Sequence, residues 1–562
     1  MQNRKIVVIG GVAAGPKAAS RARRIDQNAD ITIIEREEIL SYSGCGLPYW
    51  ISGVVKEKKE LTSTAAGTQR DPIYFAKVKN IRALNRTEAV EIDRNRRSVL
   101  CRRLETGEIL NFPYDNLIIA TGSIPVDIKI PGSDLKNVTH LKNLQEAANI
   151  REALASCSKV AIIGGGFIGC EMAEAICECA KQATIVEMMP HLLPGLLDED
   201  MALLLEKSMR EQGVVIHTNT KVVRLDGNEE GQVQKIVTHN GIEIDTEFVL
   251  LAVGVRPVVD LAKKAGIAIG NSGGIKVDSH MQTSDPEIYA AGDCVEHFMP
   301  LLGEHTLSAM GSIANKEGRV AGTNAAGGDI AFRGIVGTNV LKVFGTNVGR
   351  TGLTNAGAIA RGMKTVTAVV ASSDRAHYYP GSSSVILKAV VEAGSRRLVG
   401  LQGIGTGEVA KRIDVGATAI TGQMTIDEVA DLDLSYAPPY SPAMDPLITL
   451  ANMARNKLDG LLDGISVTEV KKRIDSGDDL ILLDVRDPAE FESMRLPGSD
   501  LIPLSDLRGR ISELPKNREI VIICRAGLRA YEAARILKGE GYNNVKVMEG
   551  GVLAWPYPLE MG

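Results

Sequence analysis

The 562-residue chain has no apolar run approaching the ~18 residues that a bilayer-spanning helix requires, so a membrane segment is not expected. It also lacks a basic block. With 64 Lys and Arg against 69 Asp and Glu the net charge is −5, and nothing points to nucleic acid. The eight cysteines show no framework spacing, and a chain this long does not depend on the staples that hold small secreted domains, so the expected compartment is the reducing cytoplasm. The eight histidines are scattered, and Cys170, Cys177 and Cys179 do not make a metal-ligand spacing, so no metal is expected. Those three cysteines, like Cys294, read as small packing residues. The most informative absence is local. Cys45, in Ser41-Tyr42-Ser43-Gly44-Cys45-Gly46-Leu47-Pro48, has no second cysteine nearby, and the next is Cys101. A disulfide made by such a thiol would form with something brought from outside, such as a thiol, disulfide or persulfide.

At ~150 residues per domain, the length allows three to five domains. Glycine, 57 of 562, exceeds the ~7% norm, which fits several nucleotide-binding turns. Ile6-Val7-Val8-Ile9 reads as a buried parallel strand, and Gly10-Gly11-Val12-Ala13-Ala14-Gly15 turns it into a helix running to about Ile25, with Pro16 in the tolerated first turn. A second strand, Ile31 to Ile34, ends in Glu35, placed to bind ribose hydroxyls, while a pyrophosphate would sit on the helix N-terminus. Val12 departs from the usual second glycine. The first 15 residues also resemble a signal peptide, but a cleavage there would destroy this site, and the strand is the preferred reading. A second copy is cleaner. Val160 to Ile163 leads into Gly164-Gly165-Gly166-Phe167-Ile168-Gly169, a helix continues to about Ala180, and Ala183 to Val186 ends in Glu187. A carboxylate there accepts from a ribose 2′-OH and repels a 2′-phosphate, and Met188, Met189 and Pro190 add no cation, which favours NADH over NADPH.

Three further segments follow strands: Ala120-Thr121-Gly122-Ser123, Ala252-Val253-Gly254-Val255-Arg256-Pro257 and Ala290-Ala291-Gly292-Asp293. Together the five motifs stand in the order of the pyridine nucleotide-disulfide oxidoreductases, which residues 1–450 resemble. The resemblance implies FAD on the first unit, at Gly10, Ala14, Gly15, Glu35, Arg36, Thr121, Gly122, Ser123, Gly292 and Asp293, with Asp293 on the ribityl hydroxyls. It implies NADH on the second, at Gly164, Gly166, Phe167, Ile168, Gly169, Glu187 and Gly254, with Phe167 covering the flavin until nicotinamide displaces it.

The composition shifts near residue 330. Residues 337–403 read as alternating short strands and turns, followed by helices over about 408–422 and 425–431, a pattern similar to the dimerisation domain of the same superfamily. The single Cys45, with Ala376-His377-Tyr378-Tyr379-Pro380-Gly381 and Ser435-Tyr436-Ala437-Pro438-Pro439-Tyr440-Ser441, narrows the resemblance to coenzyme A-disulfide reductases and NADH-dependent persulfide reductases. This implies a homodimer in which Tyr378 and Tyr436 reach the partner subunit's Cys45, where a phenol can hydrogen-bond a thiolate or protonate a leaving thiol. It also implies coenzyme A on Lys17, Arg21, Arg24, Ser41, Gly44 and Asn315; Arg21 and Arg24, three apart on a helix, share a face. Gly44 stands where relatives often carry Asn and Met444 where some carry Lys, which leaves the acyl-carrier preference open. Cys45 is expected to be buried beside the flavin.

Residues 456–464 are polar and read as a linker. Beyond them come a helix (Thr468 to Ser476), a strand (Leu480 to Leu483) ending in Asp484-Val485-Arg486, and Cys524-Arg525-Ala526-Gly527-Leu528-Arg529 between a strand and a helix over Ala530 to Gly539. Backbone N–H donors and the charges of Arg525 and Arg529 would favour thiolate and persulfide at Cys524. Residues 465–562 resemble a rhodanese domain; Arg495 replaces the usual His of the Arg495-Leu496-Pro497-Gly498 segment. The expected class is α/β: two nested Rossmann-like dinucleotide-binding domains, an α+β dimerisation domain and a C-terminal α/β rhodanese domain. The expected division is FAD domain 1–150 and 279–328, NADH domain 151–278, dimerisation domain 329–455, linker 456–464, rhodanese domain 465–562. The expected activity is NADH-dependent reduction of CoA persulfide, polysulfide or CoA disulfide at Cys45, with Tyr378 and Tyr436 assisting, coupled to sulfur transfer at Cys524 with Arg529. The rival readings are an NADH oxidase or peroxidase cycling Cys45 sulfenic acid, and a sulfur carrier or redox-sensing partner protein.

Overall fold

The computed structural model describes residues 3–562, which form two compact units. The first contains the chain up to Val186 together with Lys221–Ile335; the second contains Glu187–Thr220 and Val336–Gly562.

In the first unit a parallel sheet runs in the order Ile288–Ala290, Asn116–Ile119, Lys5–Ile9, Asp30–Ile34, Arg82–Leu84. Its strands are near-continuous apolar runs because both faces are covered. Ile6, Val8, Ile33, Leu117 and Ile118 are fully buried, and Gly318 and Gly322 let helix Gly311–Ala325 lie directly on Ala14 and Ala18 of helix Ala14–Ile25. The second parallel sheet of this unit places Lys159–Ile163 between Gln182–Val186 and Phe248–Leu251, with Val138–Thr139 at the edge. Each parallel sheet thus presents the carboxyl end of a central strand, Ile9 or Ile163, to a glycine turn. Open α/β sheets bind their ligands at such strand ends.

In the second unit an antiparallel sheet runs Asn339–Val343, Thr346–Gly352, Leu398–Gly405, Ser384–Glu392, Thr365–Ser373. Two of these strands reach nine residues, longer than the short strands expected. Helices Val409–Thr421 and Pro446–Leu458 pack on it. A parallel sheet follows in the order Gly464–Ile465, Val545–Met548, Glu519–Ile523, Leu480–Asp484, Asp500–Leu501. The stretch expected to be a linker is largely structured. Helix Pro446–Leu458 runs into it, Leu462 belongs to the C-terminal core, and Gly464 already pairs with Val547.

Candidate functional sites

The first glycine turn is fixed by sterics. Gly10 has φ +110°, and a Cβ there would meet the Ala120 carbonyl oxygen at 2.0 Å, so the strand end and the turn can approach only through glycine. The Gly11 N–H donates to Glu35 Oε2 at 2.6 Å and the Glu37 N–H to Glu35 Oε1 at 2.8 Å. Burial pushes the Glu35 carboxyl up, against these two backbone donors. No side chain caps helix Ala14–Ile25, which leaves its first amides to hold an anion. Arg36 lies beside Glu37 on the exposed side of the turn. Ser123, just past the Asn116–Ile119 strand, donates to Asp293 Oδ2 at 2.8 Å and accepts from Lys142 Nζ at 3.2 Å. Thr121 donates to the Val258 carbonyl, and Gly122 accepts from the Val258 N–H. The Gly292 N–H donates to Glu317 Oε2 at 2.9 Å, and buried His297 shares a 2.7 Å hydrogen bond with Glu317 Oε1. The predicted flavin residues therefore meet at one strand end, and Glu317 and His297, unsuspected from sequence, sit beneath them.

Cys45 stands on the single turn Gly44–Gly46 that leads into helix Leu47–Ile51. In the chain by itself Cys45 is exposed. Its thiol still sits deep enough for burial to push its pKa up, with Glu171 and Asp293 adding to the rise and Lys142 opposing it. Helix Leu47–Ile51 packs against helix Phe167–Glu178, which carries both Phe167 and Glu171. Burial and then Glu174 lift the Glu171 carboxyl to about 7. Tyr49 is likewise pushed up by burial, then by Glu171. Glu171 escaped sequence reasoning, although its position four residues after Phe167 puts both on one helix face.

In the second turn Gly164 (φ +108°) repeats the logic of Gly10: a Cβ would lie 2.4 Å from the Ala252 carbonyl oxygen. Gly166 is the N-cap of helix Phe167–Glu178, followed by half-buried Phe167, Ile168 and Gly169. Gly254 precedes Val255–Pro257, which pairs with Ser123–Pro125. Glu187 directly follows Val186, is buried, and accepts from the Met189 N–H at 2.7 Å.

The cationic residues on the first helix do not act alone. Arg21 donates to Thr323 Oγ1 at 2.9 Å, and its pKa is lowered by burial, then by Arg319 and Arg24. Arg319 thus joins Arg21 and Arg24 in one cluster, near Lys17 a turn earlier. Asn315 turns its amide back to the Gly311 carbonyl at 2.8 Å. Ser41 has φ +48°, and its N–H donates to the Gly11 carbonyl, so the segment before Gly44 is fastened to the nucleotide turn.

In the second unit Tyr378 and Tyr436 are 67% and 55% exposed. Their segments are tied together: the Ala376 N–H reaches the Pro438 carbonyl at 3.3 Å. Buried Arg412 donates to both Asp445 oxygens and to the Asp374 carbonyl at 2.7 Å, while Ser441 donates to Asp445 at 2.9 Å.

Cys524 directly follows strand Glu519–Ile523, is 1% exposed, and accepts the Gly527 N–H at 3.0 Å. Gly527 caps helix Leu528–Gly539. Arg525 is exposed. Arg529 is engaged elsewhere than the sulfur: it pairs with Glu490 at 2.6 and 2.9 Å and with Asp487 at 3.2 Å, so it supplies charge and not a direct contact. Arg486 folds onto Asp484 (2.7–3.0 Å) and the Met494 carbonyl, fixing the neighbouring strand end.

Two dinucleotide turns, a single cysteine beside the flavin-type strand end and a second cysteine on a strand-to-helix loop define a two-nucleotide oxidoreductase with an appended sulfur-handling domain. The chain matches the pyridine nucleotide-disulphide oxidoreductase model over residues 4–318, that family's dimerisation domain over 339–448 and the rhodanese-like domain over 466–556, and it belongs to the pyridine nucleotide-disulphide oxidoreductases. The family's cofactors are FAD and NAD(P)H. The chain is 44% identical to an NAD-dependent persulfide reductase from A. fulgidus, with a TM-score of 0.94 over 98% of this chain and 100% of that one. It is 35% identical to the reduced Bacillus anthracis CoADR-RHD, with a TM-score of 0.90 over 99% and 98%. A CoA-dependent NAD(P)H sulfur oxidoreductase from Pyrococcus furiosus is 34% identical over 81% of this chain and all of its own length.

Proposed function

We propose that this protein is an NADH-dependent reductase of coenzyme A persulfide, polysulfide or CoA disulfide, working through Cys45 and fed by sulfur transfer at Cys524. The observation that carries the reading is an isolated Cys45 at the strand end that gathers Ser123, Asp293 and Lys142, in a chain that also bears a Cys524 loop. Gly10, Ala14, Gly15, Glu35, Arg36, Thr121, Gly122, Ser123, Gly292 and Asp293 would hold FAD, which would supply two-electron transfer, and Gly164, Gly166, Phe167, Ile168, Gly169, Glu187 and Gly254 would hold NADH as the electron donor. Cys45 thiolate attacks the inner sulfur of CoA–S–SH, forming Cys45–S–S–CoA and expelling hydrosulfide. Two electrons from NADH then return Cys45 to thiolate and free CoA thiol. Lys17, Arg21, Arg24, Ser41, Gly44 and Asn315 form the CoA site, with the cluster made by Arg21, Arg24 and Arg319 matching its phosphates. The protein acts as a homodimer in the cytoplasm, where its eight free cysteines stay reduced, and Tyr378 and Tyr436 handle the proton at the partner subunit's Cys45.

The test is Cys45→Ser. The variant should bind FAD and accept electrons from NADH but lose turnover with CoA persulfide and CoA disulfide. Wild-type turnover with CoA persulfide would refute the reading, and NADH consumption faster with O₂ or peroxide than with either sulfur acceptor would favour the oxidase.

A further inference from the structure

Strand Thr365–Ser373 is the outer strand of the antiparallel sheet, paired on one side with Ser384–Glu392. An outer strand leaves unpaired N–H groups, which need partners when covered. One of them, the Val369 N–H, donates at 2.9 Å to Glu549 Oε2, from the other sheet of the unit. Glu549 is 4% exposed, and its second oxygen pairs with Lys457 near the end of helix Pro446–Leu458. Gly464 is pressed onto the same oxygen; a Cβ there would lie 2.0 Å away. Lys388, paired across the strand with Val369, holds Asp200 at 2.8 Å and Asp198 at 3.1 Å behind this junction. Burial pushes the Glu549 carboxyl up, and Lys457 is the largest opposing influence.

Glu549 also stands just ahead of the residues that contact the Cys524 loop. It follows strand Val545–Met548, the neighbour of Glu519–Ile523. Two residues after it, Gly551 packs so closely that a Cβ would lie 2.4 Å from the Cys524 carbonyl oxygen. The Val552 N–H then donates to that carbonyl at 2.9 Å and the Leu553 N–H to Arg525 O at 3.1 Å. One carboxylate thus grips the dimerisation sheet and its last helix, and Gly551, Val552 and Leu553 shortly after it grip the backbone that presents the sulfur.

We propose that Glu549 is a positioning residue for Cys524, anchored by the Val369 N–H and Lys457, so that the dimerisation domain sets the geometry of the sulfur-loading loop. The rhodanese domain is then a docked module and not a freely tethered one. The proposal rests on the reading of Cys524 as the sulfur-loading thiol: thiosulfate gives its outer sulfur to Cys524 thiolate, releasing sulfite, and cyanide removes that sulfur as thiocyanate.

The experiment uses the full-length FAD-loaded enzyme. Lys457→Met removes the anchor's charge without touching the Cys524 loop, Glu549→Gln removes it from the other side, and the double variant completes the cycle. Two rates are read: thiosulfate-to-cyanide turnover, and alkylation of Cys524 by iodoacetamide followed by peptide mass spectrometry. Each single variant should change both rates at least fivefold, in kcat more than in the thiosulfate KM, while reduction of preformed CoA persulfide stays within twofold of wild type. The double variant should be no worse than the more affected single one. Rates within twofold of wild type in Lys457→Met and Glu549→Gln, or effects that multiply in the double variant, would overturn the proposal. If wild-type enzyme shows no thiosulfate turnover while Cys524 alkylation still responds to Lys457→Met, the sulfur-loading reading falls and the positioning role stands.

Discussion

Arg412 offers the sharpest test of how the dimerisation domain holds its two tyrosines. It is the largest charged side chain that is fully buried, 1% exposed, and its guanidinium reaches Asp445, the Glu408 carbonyl and the Asp374 carbonyl. Asp374 precedes the Tyr378 segment, and Asp445, with Ser441, closes the Tyr436 segment. Arg412→Met conserves much of the volume but leaves Asp445, itself 4% exposed, with only the more distant Lys411 Nζ, at 3.8 Å, as counter-charge. Removing one partner of a buried pair costs about 3–5 kcal/mol. For a domain of this size that is a fall of roughly 10–20 °C in its own calorimetric transition. Arg412→Lys should recover only part of the loss, because a single ammonium cannot serve the forked carboxylate contact and two carbonyls together. The functional readout separates the two halves of catalysis. Flavin reduction by NADH, a step in which the proposed function gives the tyrosines no part, should persist below the transition, while CoA persulfide turnover should fall with the loosened Tyr378 and Tyr436 segments. A transition shifted by less than about 2 °C, corresponding to well under 1 kcal/mol, together with unchanged persulfide turnover, would refute the reasoning.

Glu171 predicts a pH effect of definite sign. Its carboxyl is lifted to about 7, so it is neutral below that value and ionised above it, and only the ionised form raises the Cys45 thiol. Glu171→Gln should match wild type in Cys45 alkylation below about pH 6 and exceed it several-fold above about pH 8, where the wild-type carboxylate disfavours thiolate; superimposable pH profiles would exclude the coupling. Glu187→Ala should narrow the preference for NADH over NADPH in kcat/KM by about 1–2 kcal/mol, the scale of one charge-assisted hydrogen bond, and equal use of both nucleotides by wild type would refute the assignment.

The sequence by itself determined the local machines. Gly10, Gly15 and Glu35 fall within one strand-turn-helix-strand unit, as do Gly164, Gly169 and Glu187, and the steric need for glycine at Gly10 and Gly164 is written in a few adjacent residues. Cys524 likewise sits on a strand-to-helix loop whose donor, Gly527, is three residues away. What only the tertiary structure decided depends on residues far apart in the chain. Glu171 acts on Cys45 across more than a hundred residues, Glu317 supports Gly292 from a distant helix, and Arg319 joins Arg21 through the packing of two helices. Burial, too, is a property of the folded whole: nothing near Glu549 in the chain announces that the Val369 N–H and Lys457 close over it. The polar stretch at 456–464 read as a linker because composition reports solvent affinity, whereas helix Pro446–Leu458 continues into it on the strength of contacts made by its apolar face. Hydrogen-bond donors and charges gain or lose their meaning when water is excluded from them, and the fold alone decides where that happens.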